Sequence, residues 1–183
     1  MVIEIVLGAI AVVFLLYFVL AYNGFVVMKN SMDRAASNID VMLKQRHDEI
    51  GKLVDTVKGY MKHERELLEN ITKLRSQFTK AKDTGERLRI DAEMNRHVLN
   101  LFAVAENYPK LRASENFMHL QGRITALENE IADRREEYNS TVFEYNNKVQ
   151  RIPSAIVARL MGLQTREMFK ASEGDRKDVK VSF

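Results

Sequence analysis

The chain has 183 residues, 46% of them apolar, which is enough for one domain of ordinary size plus an appendage. It contains no cysteine, which excludes disulfide bridges, thiolate zinc sites and a cysteine nucleophile. A formal charge of +3, from 28 basic and 25 acidic residues interspersed along the chain, excludes a basic nucleic-acid-binding arm, so nucleic acid is not an expected partner.

From Ile5 to Tyr22 the chain reads IVLGAIAVVFLLYFVLAY, a run without a charged residue. A helix of about 20 such residues covers the roughly 30 Å of a bilayer's hydrocarbon core, so residues 1–23 are expected to form a transmembrane anchor. Ile5, Val6, Leu7, Val12, Val13, Phe14, Leu15, Leu16, Phe18, Val19 and Leu20 carry that expectation. Val19-Leu20-Ala21 has the small-residue character of a signal-peptide cleavage site. No Lys or Arg precedes the apolar run, however, which favours a retained anchor. Lys29, Arg34, Lys44 and Arg46 follow it, and positive flanks stay in the cytoplasm, so the N-terminus is expected outside and the rest of the chain inside.

Beyond the anchor, apolar residues recur at 25, 28, 32, 35, 39 and 42, then at 50, 53, 57, 60 or 61, 67, 71, 74 and 78. This three-four spacing predicts one buried helical stripe reaching about residue 80, bending near Gly24 or Gly51. The step from Met42 through Arg46 to Ile50 has the spacing of a stutter. Met28, Met32, Met42 and Met61 on this stripe are expected to be core filler, although thioethers also suit varied partner helices. KDTGE (82–86) is a polar connector, and a second stripe follows through Leu88, Ala92, Val98, Phe102 and Ala105. Tyr108-Pro109 ends it, because the residue before proline is pushed out of helical geometry.

Ser114 can cap a third long helix whose stripe is Phe117, Leu120, Ile124, Leu127, Ile131, Tyr138, Val142, Tyr145 and Val149. Pro153 ends that helix and opens a short one, SAIVARLM, closed by Gly162. This short helix could lie on a membrane surface beside Arg151 and Arg159, but its brief apolar face favours docking onto the bundle. The expected fold is all-α: a single N-terminal transmembrane helix, an antiparallel up-and-down bundle of long helices over 24–169, and a flexible charged tail over 170–183.

Two Tyr-Asn pairs, Tyr138-Asn139 and Tyr145-Asn146, stand seven residues apart on the third helix. The rings continue the apolar stripe and the carboxamides flank it. A buried carboxamide without a partner costs about 1–3 kcal/mol, so a neighbouring helix is expected to supply a complementary group in one register. Asp40, Arg46 and Asp48 on the first helix, and Glu128, Asn129 and Arg135 on the third, are the expected suppliers. The alternative is that the asparagines face water, as most do.

The segments SNIDVMLKQRHDEIGKLVDTVKGYMKHE (37–64), LFAVAENYPKL (101–111), NFMHLQGRITALENEIADRREEYNSTVFEYNNKVQRIP (116–153) and VARLMGL (157–163) resemble the LemA family in content and order. Asp40, Arg46, Asp48, Tyr60, Glu106, Tyr108, Pro109, Glu128, Asn129, Arg135, Tyr138, Asn139, Tyr145, Asn146 and Pro153 match its pattern. Gly51 departs from it, standing where the family usually has proline, as do Glu49, Ala36 and Arg134. The resemblance implies an N-terminal span, a cytoplasmic helical bundle and no known enzymatic activity. One divergent branch is linked to building internal membrane compartments in magnetic bacteria, which points to membrane organisation.

HEREL (63–67) begins like a zinc motif, but Leu67 stands where the second histidine belongs. The pairs Glu93/His97 and Glu115/His119 are ordinary one-turn neighbours. No phosphate loop or nucleophile elbow occurs, so no catalytic, cofactor-binding or metal residue and no small-molecule substrate is expected. The expected protein is a non-enzymatic, self-associating scaffold of the bacterial inner membrane, with lipid and its own copies as partners. The rival expectation is an adaptor presenting the bundle to an envelope quality-control protease or another membrane protein.

Overall fold

The structure is a computed structural model that describes residues 1–169; the tail expected over 170–183 lies outside the described residues. The fold is an all-α helical bundle, with helices α1 (Val2–Lys58), α2 (Arg65–Lys80), α3 (Thr84–Ala105), α4 (Pro109–Arg112), α5 (Glu115–Gln150) and α6 (Ser154–Leu160). Glu4 in the first turn of α1 and Lys58 in its last complement the helix dipole.

The long first helix passes through Gly24 and Gly51 without a break and ends instead at Gly59. Each of the first two glycines receives a cation: a Cβ on Gly24 would overlap the Lys148 ammonium, and one on Gly51 the Arg75 guanidinium. The expected single helix to residue 80 is therefore two. At Gly59 the chain turns, with Tyr60 and Met61 both donating to the Val57 carbonyl at 2.9 Å. Folding α2 back lets its stripe of Leu67, Leu68, Ile71, Leu74 and Phe78 be buried, which a straight continuation would leave in water.

Two compact units result, one of residues 1–35 with 136–168, the other of 36–135 with Phe169 among the described residues. In the first, α1 and α5 run antiparallel, Gly24 meeting Lys148 and Phe25 meeting the Tyr145 ring edge-on (6.2 Å), with the Lys148 ammonium over the Phe25 ring (5.0 Å). Ala21, Phe25, Met32, Val142, Tyr145, Val157 and Ala158 form its core. Helix α6 closes with a Schellman motif: Gly162 takes φ 64°, Gly162 N–H donates to Arg159, and Leu163 N–H to Ala158.

In the second unit, α2 lies antiparallel to α1 (His47 on Phe78, Arg75 on Gly51), α3 runs parallel to α1 (Asp40 to Arg87, Arg46 to Asp91), and α5 runs antiparallel to α3 (Phe102 on Phe117). The stripe on α1 is Ile39, Leu43, Arg46, Ile50, Leu53 and Val57, so Leu43 takes the place expected of Met42. With Leu43 in place of Met42 the spacing through Arg46 alternates regularly between four and three, and the apparent stutter disappears. On α3 the buried face is Ile90, Asp91, Met94, Val98, Leu101 and Ala105; Leu88, Ala92 and Phe102 are only half-buried. Helix α3 starts at Thr84, inside the expected connector, because the Asp83 carboxylate caps it by accepting from the Glu86 N–H at 2.8 Å. Pro109 opens the one-turn α4.

Candidate functional site: a buried arginine joining three helices

Arg46 is 2% exposed, an unusual place for a guanidinium unless its charge is matched and its N–H groups are bonded. Helix α3 supplies the match one turn apart: Asp91 accepts from the Arg46 guanidinium at 2.6 Å, and the Asn95 side-chain oxygen accepts from its other terminal nitrogen. Helix α5 adds Glu128, which lies 3.4 Å from Arg46 and accepts from the Asn95 amide. Three helices are thereby tied through one cation and two carboxylates. A one-turn slip of α1 against α3 would leave a buried charge alone, so the pair fixes the register of these two helices, with Glu128 joining from the half-exposed rim.

The cluster opens to water through a 540 Å³ cleft, also lined by Asn129 and Arg135. Burial pushes the Asp91 carboxyl above its usual value, opposed by the attraction of Arg46. Both carboxylates that face Arg46 are committed to holding it, and no nucleophile stands beside a base there.

On the neighbouring face of α1, about 100° round from Arg46, His47 stacks on Phe78 at 4.5 Å and is 9% exposed, with its Nδ1 unpartnered. Desolvation lowers its pKa from the usual 6.5, and the Arg75 guanidinium lowers it further, against a smaller opposite effect of Asp48. Asp40 and Arg87 form an ion pair at 3.1 Å on the rim, while Asp48 pairs with Lys44 at 2.8 Å in water. At one end of this unit Tyr60, Tyr108 and Pro109 line a shallow hollow, and the Tyr108 hydroxyl donates to Glu64 at 3.3 Å. Glu106 meets Arg112 at 3.6 Å on the exposed surface.

In the first unit, Tyr145 and Asn146 bond to groups other than the expected suppliers. The Tyr145 hydroxyl donates to the Gln164 carbonyl at 3.1 Å. Asn146 grips Arg166 from both sides, donating to its carbonyl at 2.9 Å and accepting from its N–H at 2.8 Å. What Asn146 holds is thus the backbone of the extended segment after α6, not a helix. Tyr138 and Asn139 lie half-buried on α5, and Pro153 caps the start of α6. Of the expected suppliers, Arg46, Glu128, Asn129 and Arg135 meet in the cleft, whereas Asp40 and Asp48 lie on the His47 side.

Asp91, Asn95, His47 and Arg75 were not singled out from sequence. The signal for Asp91 was present: 91, 94, 98, 101 and 105 continue the three-four stripe of α3, as 39, 43, 46 and 50 do on α1. An acid and a base each occupying an apolar stripe position is the pattern of a buried ion pair.

The LemA family profile matches residues 35–183. Protein LemA of Metamycoplasma hominis is 30% identical over 183 residues, covering 92% of this chain and 83% of that protein. The chain belongs to the LemA family. More distant similarity joins it to the magnetosome protein MamQ 2 of Paramagnetospirillum magneticum (23% identical; 87% of this chain, 68% of the relative) and MamQ of Magnetospirillum gryphiswaldense (22%; 86% and 68%). The chain is a membrane-associated LemA-family protein, and its first helix is long and apolar enough to cross a bilayer, with the most apolar 18 residues unburied by the rest of the protein. Gly51, at the family's proline position, here makes room for the Arg75 guanidinium.

Proposed function

We propose that this LemA-family protein is a non-enzymatic, single-pass scaffold of the bacterial inner membrane, which self-associates and takes part in membrane organisation. One observation carries the reading. A single helix supplies both an apolar span that the rest of the chain covers only at its C-terminal end and the core stripe that the buried ion pair locks in register. Such an element transmits position, and its most deeply buried charges are spent on holding helices together. The outward side chains Val27 and Phe143, 62% and 56% exposed, are the proposed contacts between copies. The basic residues following the span support a cytoplasmic bundle and an external N-terminus.

Because the chain has no cysteine, Phe143→Cys and Val27→Cys can be crosslinked in native membranes with a short bismaleimide. A ladder of the chain with itself supports the scaffold. One dominant foreign band would instead make the protein an adaptor, and an uncrosslinked monomer in both variants would refute self-association. Protease added to intact spheroplasts should leave the bundle uncut; digestion of its bulk overturns the orientation.

A further inference from the structure

Helix α6 packs onto the first unit by Ser154, Ala155, Val157 and Ala158, all buried. The Ser154 hydroxyl bonds with the Lys148 and Arg151 carbonyls, fixing how the helix is rotated. That rotation turns Ile156 and Leu160, one helical turn apart, away from the protein at 49% and 68% exposure, and Ile152 just before the helix is 79% exposed. Two large aliphatic side chains on the outer side of a docked helix, with a third exposed just before it, need a cover.

The level of α6 along α1 says what covers it. Its core is shared with Ala21 and Phe25, and Tyr17 and Phe18 pack against that core, as do Met161 and Leu163 just after α6. The apolar run ends at Tyr22, so at 1.5 Å per residue Tyr17 lies about 8 Å inside its end. A helix docked at that level, beside a span crossing lipid, sits at the boundary between acyl chains and headgroups. Along the chain from residue 144 to 167, Lys148, Arg151, Arg159 and Arg166 outnumber Glu144 and Glu167, and the Lys148 ammonium lies over Phe25, one turn beyond the run. Basic side chains at this depth meet lipid phosphates while their stems lie along apolar surface.

We infer that Ile152, Ile156 and Leu160 form a second membrane contact, with α6 lying in the interface of the leaflet from which the span emerges, its outer face buried in lipid. The inference rests on the anchored reading of α1. It makes the bundle's first unit a two-point attachment, a transmembrane helix and an interfacial one, which restricts rotation of the bundle about the span.

The test uses the full chain reconstituted in vesicles containing anionic phospholipid. Single cysteines at Ile152→Cys, Ile156→Cys and Leu160→Cys carry an environment-sensitive fluorophore; Leu16→Cys reports the span and Thr125→Cys the exposed surface of α5. The expected result for the three α6 positions is blue-shifted emission, quenched more by lipids brominated near the headgroup than at mid-chain, as for an apolar face about 5–10 Å deep. Leu16 should show the reverse depth preference and Thr125 no quenching. If Leu16 is quenched while all three α6 labels remain unquenched, the interfacial contact is refuted and the anchor stands. If Leu16 is also unquenched, the span itself fails, and the contact with it. Ile152 lies outside α6, so its substitution leaves that helix intact and keeps the result readable if the helical variants misfold.

Discussion

Replacing Arg46 by methionine keeps a long flexible side chain in the core but strands Asp91, whose side chain is 10% exposed. With only the weaker attraction of Arg135 left, the carboxyl either stays charged in a poorly solvated site or takes up a proton. Protonation sets the ceiling: holding a carboxyl of ordinary pKa about 3.9 neutral at pH 7 costs about 4 kcal/mol, at 1.36 kcal/mol per unit. At pH 5 the same arithmetic gives about 1.5 kcal/mol. The penalty therefore falls near the 3–5 kcal/mol seen when one partner of a buried pair is removed, and shrinks on acidification. The sign follows from linkage. The variant's folded Asp91 has a pKa raised above the unfolded value, so the stability it offers is present below that value and lost as pH rises through the folded one. Urea unfolding followed by helical circular dichroism in detergent micelles, at pH 5 and 7, reads both quantities. The double variant Arg46→Met with Asp91→Leu should recover most of the loss, because two apolar side chains can replace an ion pair at little cost. A loss below about 1 kcal/mol that does not change with pH would refute the claim that this pair locks the core.

Three further outcomes follow from the same geometry. His47 has a lowered folded pKa, so the unfolded chain binds protons first and stability should fall as pH drops below 6.5 toward the folded value; His47→Phe, which keeps the stack on Phe78, should flatten that slope in parallel melts. Gly51→Ala should change stability little in the native background, since the helix-propensity gain of up to about 1 kcal/mol is offset by displacing Arg75, but should stabilise by about that amount when Arg75 is already alanine. Asn146→Ala removes both bonds to Arg166, each worth about 1 kcal/mol, and should speed trypsin cleavage after Arg166 severalfold without moving the main unfolding transition.

Much of this protein is legible along the chain because its signals are local. Eighteen uncharged residues specify a helix that lipid can cover, and the prolines at 109 and 153 mark helix boundaries wherever the helices pack. The stripe Phe117, Leu120, Ile124, Leu127 and Ile131, resumed at Val142 and Tyr145, fixes the buried face of α5 because its period is that of a helix. Tertiary structure decided the rest. Only the choice to bury α2 against α1 makes Gly59, and neither Gly24 nor Gly51, the place where the first helix ends. Arg46 looked like an interruption until Asp91, 45 residues away, supplied the opposite charge that lets a guanidinium occupy an apolar position. Asn146 needed a partner, but that the partner is the backbone at Arg166 depends on the chain reversing through α6 and Gly162. A pattern of residue types fixes what each stretch must hide from water; which distant groups meet to hide it is settled by packing.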